Sequence, residues 1–126
     1  MLHRFARTEM LIGKEGLSKL KHAHIAVFGV GGVGSYAVEA LARAGIGRLT
    51  LIDNDKVTLT NLNRQLIALS STLGLPKADV ACKRVLDINP ECQVEAVQRF
   101  YKPCTRDLIR LEYNYIIDAI DSITSK

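Results

Sequence analysis

The sequence predicts an α/β protein with a doubly wound parallel sheet, and three observations carry that reading. Apolar runs of strand length alternate with segments of helical periodicity. A glycine-rich turn, Gly29-Val30-Gly31-Gly32-Val33-Gly34, directly follows the first such run, and the second run ends in a carboxylate, Asp53. Strands that alternate with helices pair in parallel through right-handed crossovers. The expected strand order is therefore 3-2-1-4, with the ligand at the carboxyl ends of the strands.

Each element has its own signal. Residues 1–23 read as an arm of one or two short helices with Leu11, Ile12, Leu17 and Leu20 as the apolar face. His24 to Phe28 has the length and β-branched content of a buried strand. Ser35 to Ala44 places Val38, Leu41 and Ala44 on one helical stripe, and Gly45 stops it. Leu49 to Ile52 is the second strand. A polar connection, Asn54 to Thr60, leads to a short helix over Asn61-Leu62-Asn63-Arg64-Gln65. Pro76 suits the first turn of a helix through Ile88 whose stripe is Ala78, Ala81, Val85 and Ile88, and Asn89-Pro90 ends it. Val94 to Val97 is the third strand. Thr105 caps a helix to about Leu111, and Tyr115-Ile116-Ile117 forms a fourth strand ending near Asp118.

The stretch from His24 to Asp53 is thus a Rossmann-like nucleotide-binding βαβ unit. In that fingerprint Gly29 makes the tight turn, Gly31 lets a phosphate approach the backbone, and Gly34 allows close helix–sheet contact. The helix start adds positive potential. Asp53, nineteen residues after Gly34, stands where a ribose-binding acid belongs. It suits the ribose of NAD or of ATP equally, and an aspartate that merely caps the loop is its structural reading.

Composition bounds the rest. At 126 residues, 48% hydrophobic and 24% charged, the chain is one domain able to bury roughly two thirds of its unfolded surface. Cys82, Cys92 and Cys104 form neither a CxxC nor an even set, so they read as reduced thiols of a cytoplasmic protein with no zinc site. Cys82, on the stripe of Ala78 and Ala81, reads as core rather than nucleophile. No segment resembles a leader or a membrane span. The net charge is +4, and residues 1–24 hold five basic groups (Arg4, Arg7, Lys14, Lys19, Lys21) and all three histidines (His3, His22, His24) against Glu9 and Glu15. Such an arm can meet a polyanion such as ATP or RNA, or simply be a solvated basic surface.

Three further elements converge on the carboxyl ends of the strands: Asn61-Leu62-Asn63-Arg64-Gln65, Pro76-Lys77 and Asp118-Ala119-Ile120-Asp121. Taken singly, Arg64 reads as a surface pair, Lys77 as an exposed helix residue and Asp121 as a helix cap. Together they suit an enzyme that displaces phosphate, because cations offset the charge that develops on a leaving pyrophosphate. Asp121 is placed to hold Mg²⁺ bridging the phosphates. The pyrophosphate of NAD is not cleaved and is usually met by backbone amides alone, so this set argues against a dehydrogenase.

Those segments, with Arg4-Phe5-Ala6-Arg7, Asp53-Asn54-Asp55 and Ile88-Asn89-Pro90, resemble the adenylating enzymes related to the ubiquitin-activating enzymes, which include the thiamine and molybdopterin sulfur-carrier adenylyltransferases. The resemblance covers essentially the whole chain. It implies ATP and Mg²⁺ as cofactors, with Gly29, Gly31, Gly32, Gly34, Asp53, Asp55, Asn61 and Gln65 forming the nucleotide pocket. Asp53 would bind the ribose, while Asn61 and Gln65 would brace the pocket. Arg64 and Lys77 would hold the phosphates and Asp121 the magnesium. Arg7 would reach the phosphates of the neighbouring subunit in a homodimer. Arg7-Thr8-Glu9-Met10-Leu11-Ile12-Gly13, Gly32-Val33-Gly34-Ser35-Tyr36 and Asp118-Ala119-Ile120-Asp121-Ser122 look most like the branch that dehydrates threonylcarbamoyladenosine on tRNA. The alternative acceptor is the carboxyl terminus of a ubiquitin-like sulfur carrier protein. From other classes come an NAD-binding module and an inactive half that serves as a dimer partner. Family members continue well beyond the fourth strand, so the resemblance implies the amino-terminal half of an adenylation domain over 1–126, with nucleotide residues present and the acceptor side incomplete.

Overall fold

The computed structural model describes residues 3–99 and 112–120. Its elements run α1 (Ala6–Lys21), β1 (His24–Phe28), α2 (Gly34–Ala44), β2 (Arg48–Ile52), a 3-10 turn (Leu59–Asn63), a shorter one (Ser70–Thr72), α3 (Lys77–Ile88), β3 (Gln93–Val97) and β4 (Tyr115–Asp118). All three strand pairings are parallel and the order is β3-β2-β1-β4, as expected. Two strands begin a residue earlier than the sequence suggested, at Arg48 and Gln93. The helix expected from Thr105 to Leu111 lies outside the described residues, as do Cys104 and Asp121.

β1 is buried along its whole length because it lies inside the sheet with cover on both faces. On one face Ile25, Val27, Leu49 and Leu51 pack against Val38 and Ala42 of α2 and Ala81 and Val85 of α3. Burying each large side chain contributes about 1.5–3 kcal/mol. The opposite face centres on Ala26, Phe28 and Ile52, with Val97, Tyr113 and Ile120 against them. His24 opens the buried strand as expected, so it does not belong to the solvated basic surface that its charge neighbours form. It is buried, and its Nε2 lies 2.8 Å from Thr50 Oγ1, the neighbouring strand's polar group on the same face.

α3 buries Ala78, Ala81 and Val85 as expected, whereas α1 and α2 depart from expectation in phase rather than in existence. In α2 the buried residues are Gly34, Ser35, Val38 and Ala42; Leu41 and Ala44 are only half-buried, with Leu41 packed against the core. Gly45 ends the helix at φ 95, a left-handed position that glycine adopts without cost. Gly13, at φ 75 and ψ 173, breaks α1, so the apolar residues on either side no longer share a stripe. Leu20 reaches the core, whereas Leu11 is 88% exposed and Ile12 43% exposed. The short helix expected at Asn61–Gln65 is a 3-10 turn shifted two residues earlier. Cys82 is half-buried rather than fully in the core. Burial, then Asp79, pushes its thiol up, and burial raises that of Cys92 to about 11, so neither is primed as a nucleophile.

α2 and α3 are clamped by Glu39, which accepts from Arg84 Nε at 2.6 Å and Nη2 at 3.1 Å and pairs with Arg43 at 2.9 Å. The Arg84 hydrogen bonds hold the Glu39 carboxyl below its ordinary pKa, against a smaller upward push from burial. A carboxylate with a depressed folded-state pKa contributes stability that is present above the unfolded value and lost as pH falls through the folded one. Glu39→Gln is therefore expected to cost about 1 kcal/mol in urea unfolding at neutral pH, a figure discounted for the partial exposure of Arg84. The gap to the parent should close below the ordinary carboxylate range. A gap that stayed constant down to that pH would mean that Glu39 acts by packing alone.

Candidate functional site

The glycine turn is pinned between three strand ends. Gly29 N–H donates to Ile52 O at 2.8 Å, and Ala119 N–H donates to Phe28 O at 2.8 Å, so the exits of β2 and β4 flank the turn. Gly29 sits at φ 95, and a Cβ there would lie 2.6 Å from the Ala119 carbonyl oxygen. A Cβ on Gly34 would overlap the carbonyl oxygen of Gly29. Both positions thus require glycine, one by conformation and contact and the other by contact alone. Beyond the turn, Ser35 N–H already returns to Gly31 O, but the amides of Gly31, Gly32 and Val33 have no acceptor among the described residues. Free amides at the start of α2 form an anion cradle.

Asp53 shapes that cradle from beneath. Its Oδ2 accepts Val30 N–H at 2.7 Å and its Oδ1 accepts Asp55 N–H at 2.7 Å. Burial pushes the Asp53 carboxyl above its ordinary pKa, while the two amides and the charge of Lys77 pull it back. Lys77, read from sequence as an exposed helix residue if nothing more, is 6% exposed. Its N–H donates to Asp55 O at 3.0 Å, and an isolated bridge pairs Lys56 with Pro76, so the loop after β2 folds against the start of α3 and encloses the lysine. The carboxylate of Asp55 itself is exposed.

The 3-10 turn covers the cradle from the other side. Asn61 is buried, its Oδ1 accepting Thr58 N–H at 2.9 Å and its carbonyl accepting the amides of Arg64 and Gln65, which fixes where those two side chains leave the backbone. Arg64 is exposed, and its Nη1 donates to Thr60 O at 3.1 Å and Asn63 Oδ1 at 3.0 Å. Its stem passes beside Gly32, where an added Cβ would meet Arg64 Cδ at 3.8 Å. Gln65 Nε2 would lie 3.4 Å from a Cβ on Gly31. Gln65 Oε1 is buried without a partner among the described residues, an arrangement that costs about 1–3 kcal/mol and rewards a donor that reaches it.

The structure therefore brings together Gly29, Gly31, Gly32, Gly34, Asp53, Asp55, Asn61, Arg64, Gln65 and Lys77. Arg7 stands apart, exposed in the first turn of α1 with no hydrogen bond or ion pair among the described residues. Asp121 lies outside those residues, three positions beyond the end of β4. Among the described residues no group of three or more His, Cys, Asp or Glu side chains could hold a metal ion. Sequence reasoning missed Ser35, which is buried and accepts Leu66 N–H on its Oγ at 3.2 Å, tying the start of α2 to the segment that carries Gln65. The available signal was a small polar residue directly after the last glycine.

A model of the ThiF family matches residues 5–126. The chain is 55% identical, over 128 aligned positions, to the tRNA threonylcarbamoyladenosine dehydratase of Bacillus subtilis, covering 100% of this chain and 50% of that protein. It is 35% identical to the sulfur carrier protein adenylyltransferase of Thermus thermophilus, covering 99% of this chain and 47% of that one. Among solved structures, the Escherichia coli tRNA N6-threonylcarbamoyladenosine dehydratase in complex with ATP matches with a TM-score of 0.94 at 50% identity, over 97% of this chain and 51% of its own. The chain spans about half the length of the curated relatives it matches.

Proposed function

Because the chain belongs to the ThiF family, we propose that residues 1–126 form the ATP-binding part of an enzyme that adenylates a carboxylate, with 1–23 as its helical arm. The observation that carries this reading is the convergence of three acceptor-less amides, Gly31 to Val33, with Arg64 and the enclosed Lys77. A carboxylate attacks the α-phosphate of ATP, the bond to the β-phosphate breaks, and pyrophosphate leaves with the charge that the two cations offset. The carboxylate is already ionised near neutral pH, so positioning and neutralisation do most of the work. Asp53 serves the ribose while holding the loop. Asp121 would hold Mg²⁺, an ion that would add further neutralisation of the phosphates.

The acceptor is the threonyl carboxylate of threonylcarbamoyladenosine in tRNA. An internal nucleophile then closes the ring on the acyl-adenylate and expels AMP. The 55% identity to a relative of that name, against 35% for the sulfur-carrier enzyme, favours tRNA over a carrier protein. No helix among the described residues is long and apolar enough to cross a membrane, which accords with a cytoplasmic enzyme. The test uses the complete gene product with ATP and either threonylcarbamoyladenosine-modified tRNA or a sulfur carrier ending in two glycines. Release of AMP with tRNA and loss of one water mass from the nucleoside is expected. Adenylation of the carrier with the tRNA unchanged would transfer the assignment, and calorimetric binding of NAD tighter than ATP would remove adenylation altogether.

The enzyme is a homodimer in which Arg7 reaches the partner's phosphates. Met10, Leu11, Val33 and Tyr36 support this, because they stand 84%, 88%, 74% and 56% exposed on α1 and the start of α2. Mixing Arg7→Ala subunits with Arg64→Ala subunits is expected to restore part of the activity, since one site of the mixed dimer keeps both arginines. Mixed dimers as inactive as their parents would place Arg7 in its own subunit's site or in none.

A further inference from the structure

At the other end of the sheet, where β1, β2 and β3 begin, a groove of about 1110 Å³ opens beside the second half of α1. Four fixed cations, Arg4, Lys14, Lys21 and Arg48, line it against two carboxylates, Glu91 and Glu112, and the chain's three histidines border it as well. Two of the cations are already engaged, since Arg4 donates to Ile88 O at 3.2 Å and Arg48 lies 3.8 Å from Glu112. Lys14 and Lys21 have no ion-pair partner among the described residues. The break at Gly13 sets Lys14 at the start of the helical segment that Lys21 closes, so the two flank one side of the groove.

We propose that this groove holds the phosphodiester backbone of RNA, as a contact separate from the nucleotide site. The inference rests on the tRNA reading above. The five residues of β1 put about 17 Å between the groove and the glycine turn. The reacting nucleoside is at the carboxyl ends of the strands, so a polyanion that touches both ends must extend at least that far from the modified base. A folded RNA does so. Its affinity then comes from phosphate neutralisation and counterion release, without base recognition.

The test compares binding of an unmodified tRNA transcript by the complete gene product and by its Lys14→Gln/Lys21→Gln variant across a salt series, with Lys83→Gln, a charge lost from outside the groove, as the control. The double variant is expected to bind about tenfold more weakly, with a salt slope shallower by about 1.5. Its ATP affinity in calorimetry should match the parent's, and Lys83→Gln should keep the parent's slope. An unchanged slope in the double variant, an equal loss in Lys83→Gln, or polyglutamate bound as tightly as the transcript would each overturn the groove assignment and leave the acceptor reading standing. A parent protein that does not retain tRNA at low salt would overturn both.

Discussion

Arg64→Ala in the complete gene product is expected to lower pyrophosphate release by about a hundredfold or more, equivalent to roughly 3 kcal/mol of transition-state stabilisation. The side chain is exposed and its guanidinium is held by Thr60 O and Asn63 Oδ1, so its removal leaves the core untouched and the melting curve nearly unchanged. The charge it answers appears on the leaving group only as the bond to the α-phosphate breaks. The loss should therefore fall on kcat rather than on KM. Arg64→Lys should rescue only in part, because an ammonium carries the charge without the planar fork that spans two oxygens. Unchanged pyrophosphate release in Arg64→Ala would show that the residue only braces its own turn.

Gly34→Ala is expected to be the more damaging change to the fold, costing at least about 3 kcal/mol in chemical denaturation. The new methyl group would coincide with the Gly29 carbonyl oxygen, and Gly29 cannot retreat because its amide is tied to Ile52 while Ala119 presses on its other side. Gly32→Ala is the matched control: its Cβ would meet Arg64 at an ordinary 3.8 Å, and its stability should stay close to the parent's. Equal midpoints for the two variants would mean that the turn has room the close contacts deny.

The parts of this site that were legible in the sequence are those set by local chemistry. The glycine turn, Asp53 and the helix announced by Pro76 follow from turn geometry, spacing and proline; the first two fell where expected, and the helix begins one residue later, at Lys77, with Pro76 as its N-cap. What escaped was set by tertiary contact. Nothing local to Lys77 says that the loop after β2 will fold over it, so its burial appears only once Asp55 O meets its amide. The apolar face assigned to α1 failed for the opposite reason: a single glycine at positive φ breaks the phase that a periodicity argument assumes to be continuous. His24, counted by charge with its basic neighbours but read by pattern as the first residue of a buried strand, follows the pattern.

The place of β1 in the order β3-β2-β1-β4 bears on how the molecule assembles. β1 meets β2 twenty-four residues along the chain, but its other edge waits for β4, ninety residues away. Loop closure over the longer span costs about 1.2 kcal/mol more entropy, so the β1–β2 pair with α2 forms early and the β4 edge joins late. Ala119 arrives with that last strand, and the wall it sets against Gly29 is missing until then. During synthesis the nascent chain therefore carries an unpaired hydrophobic strand edge until residue 118 has left the ribosome, and it is over this interval that misassembly competes with folding.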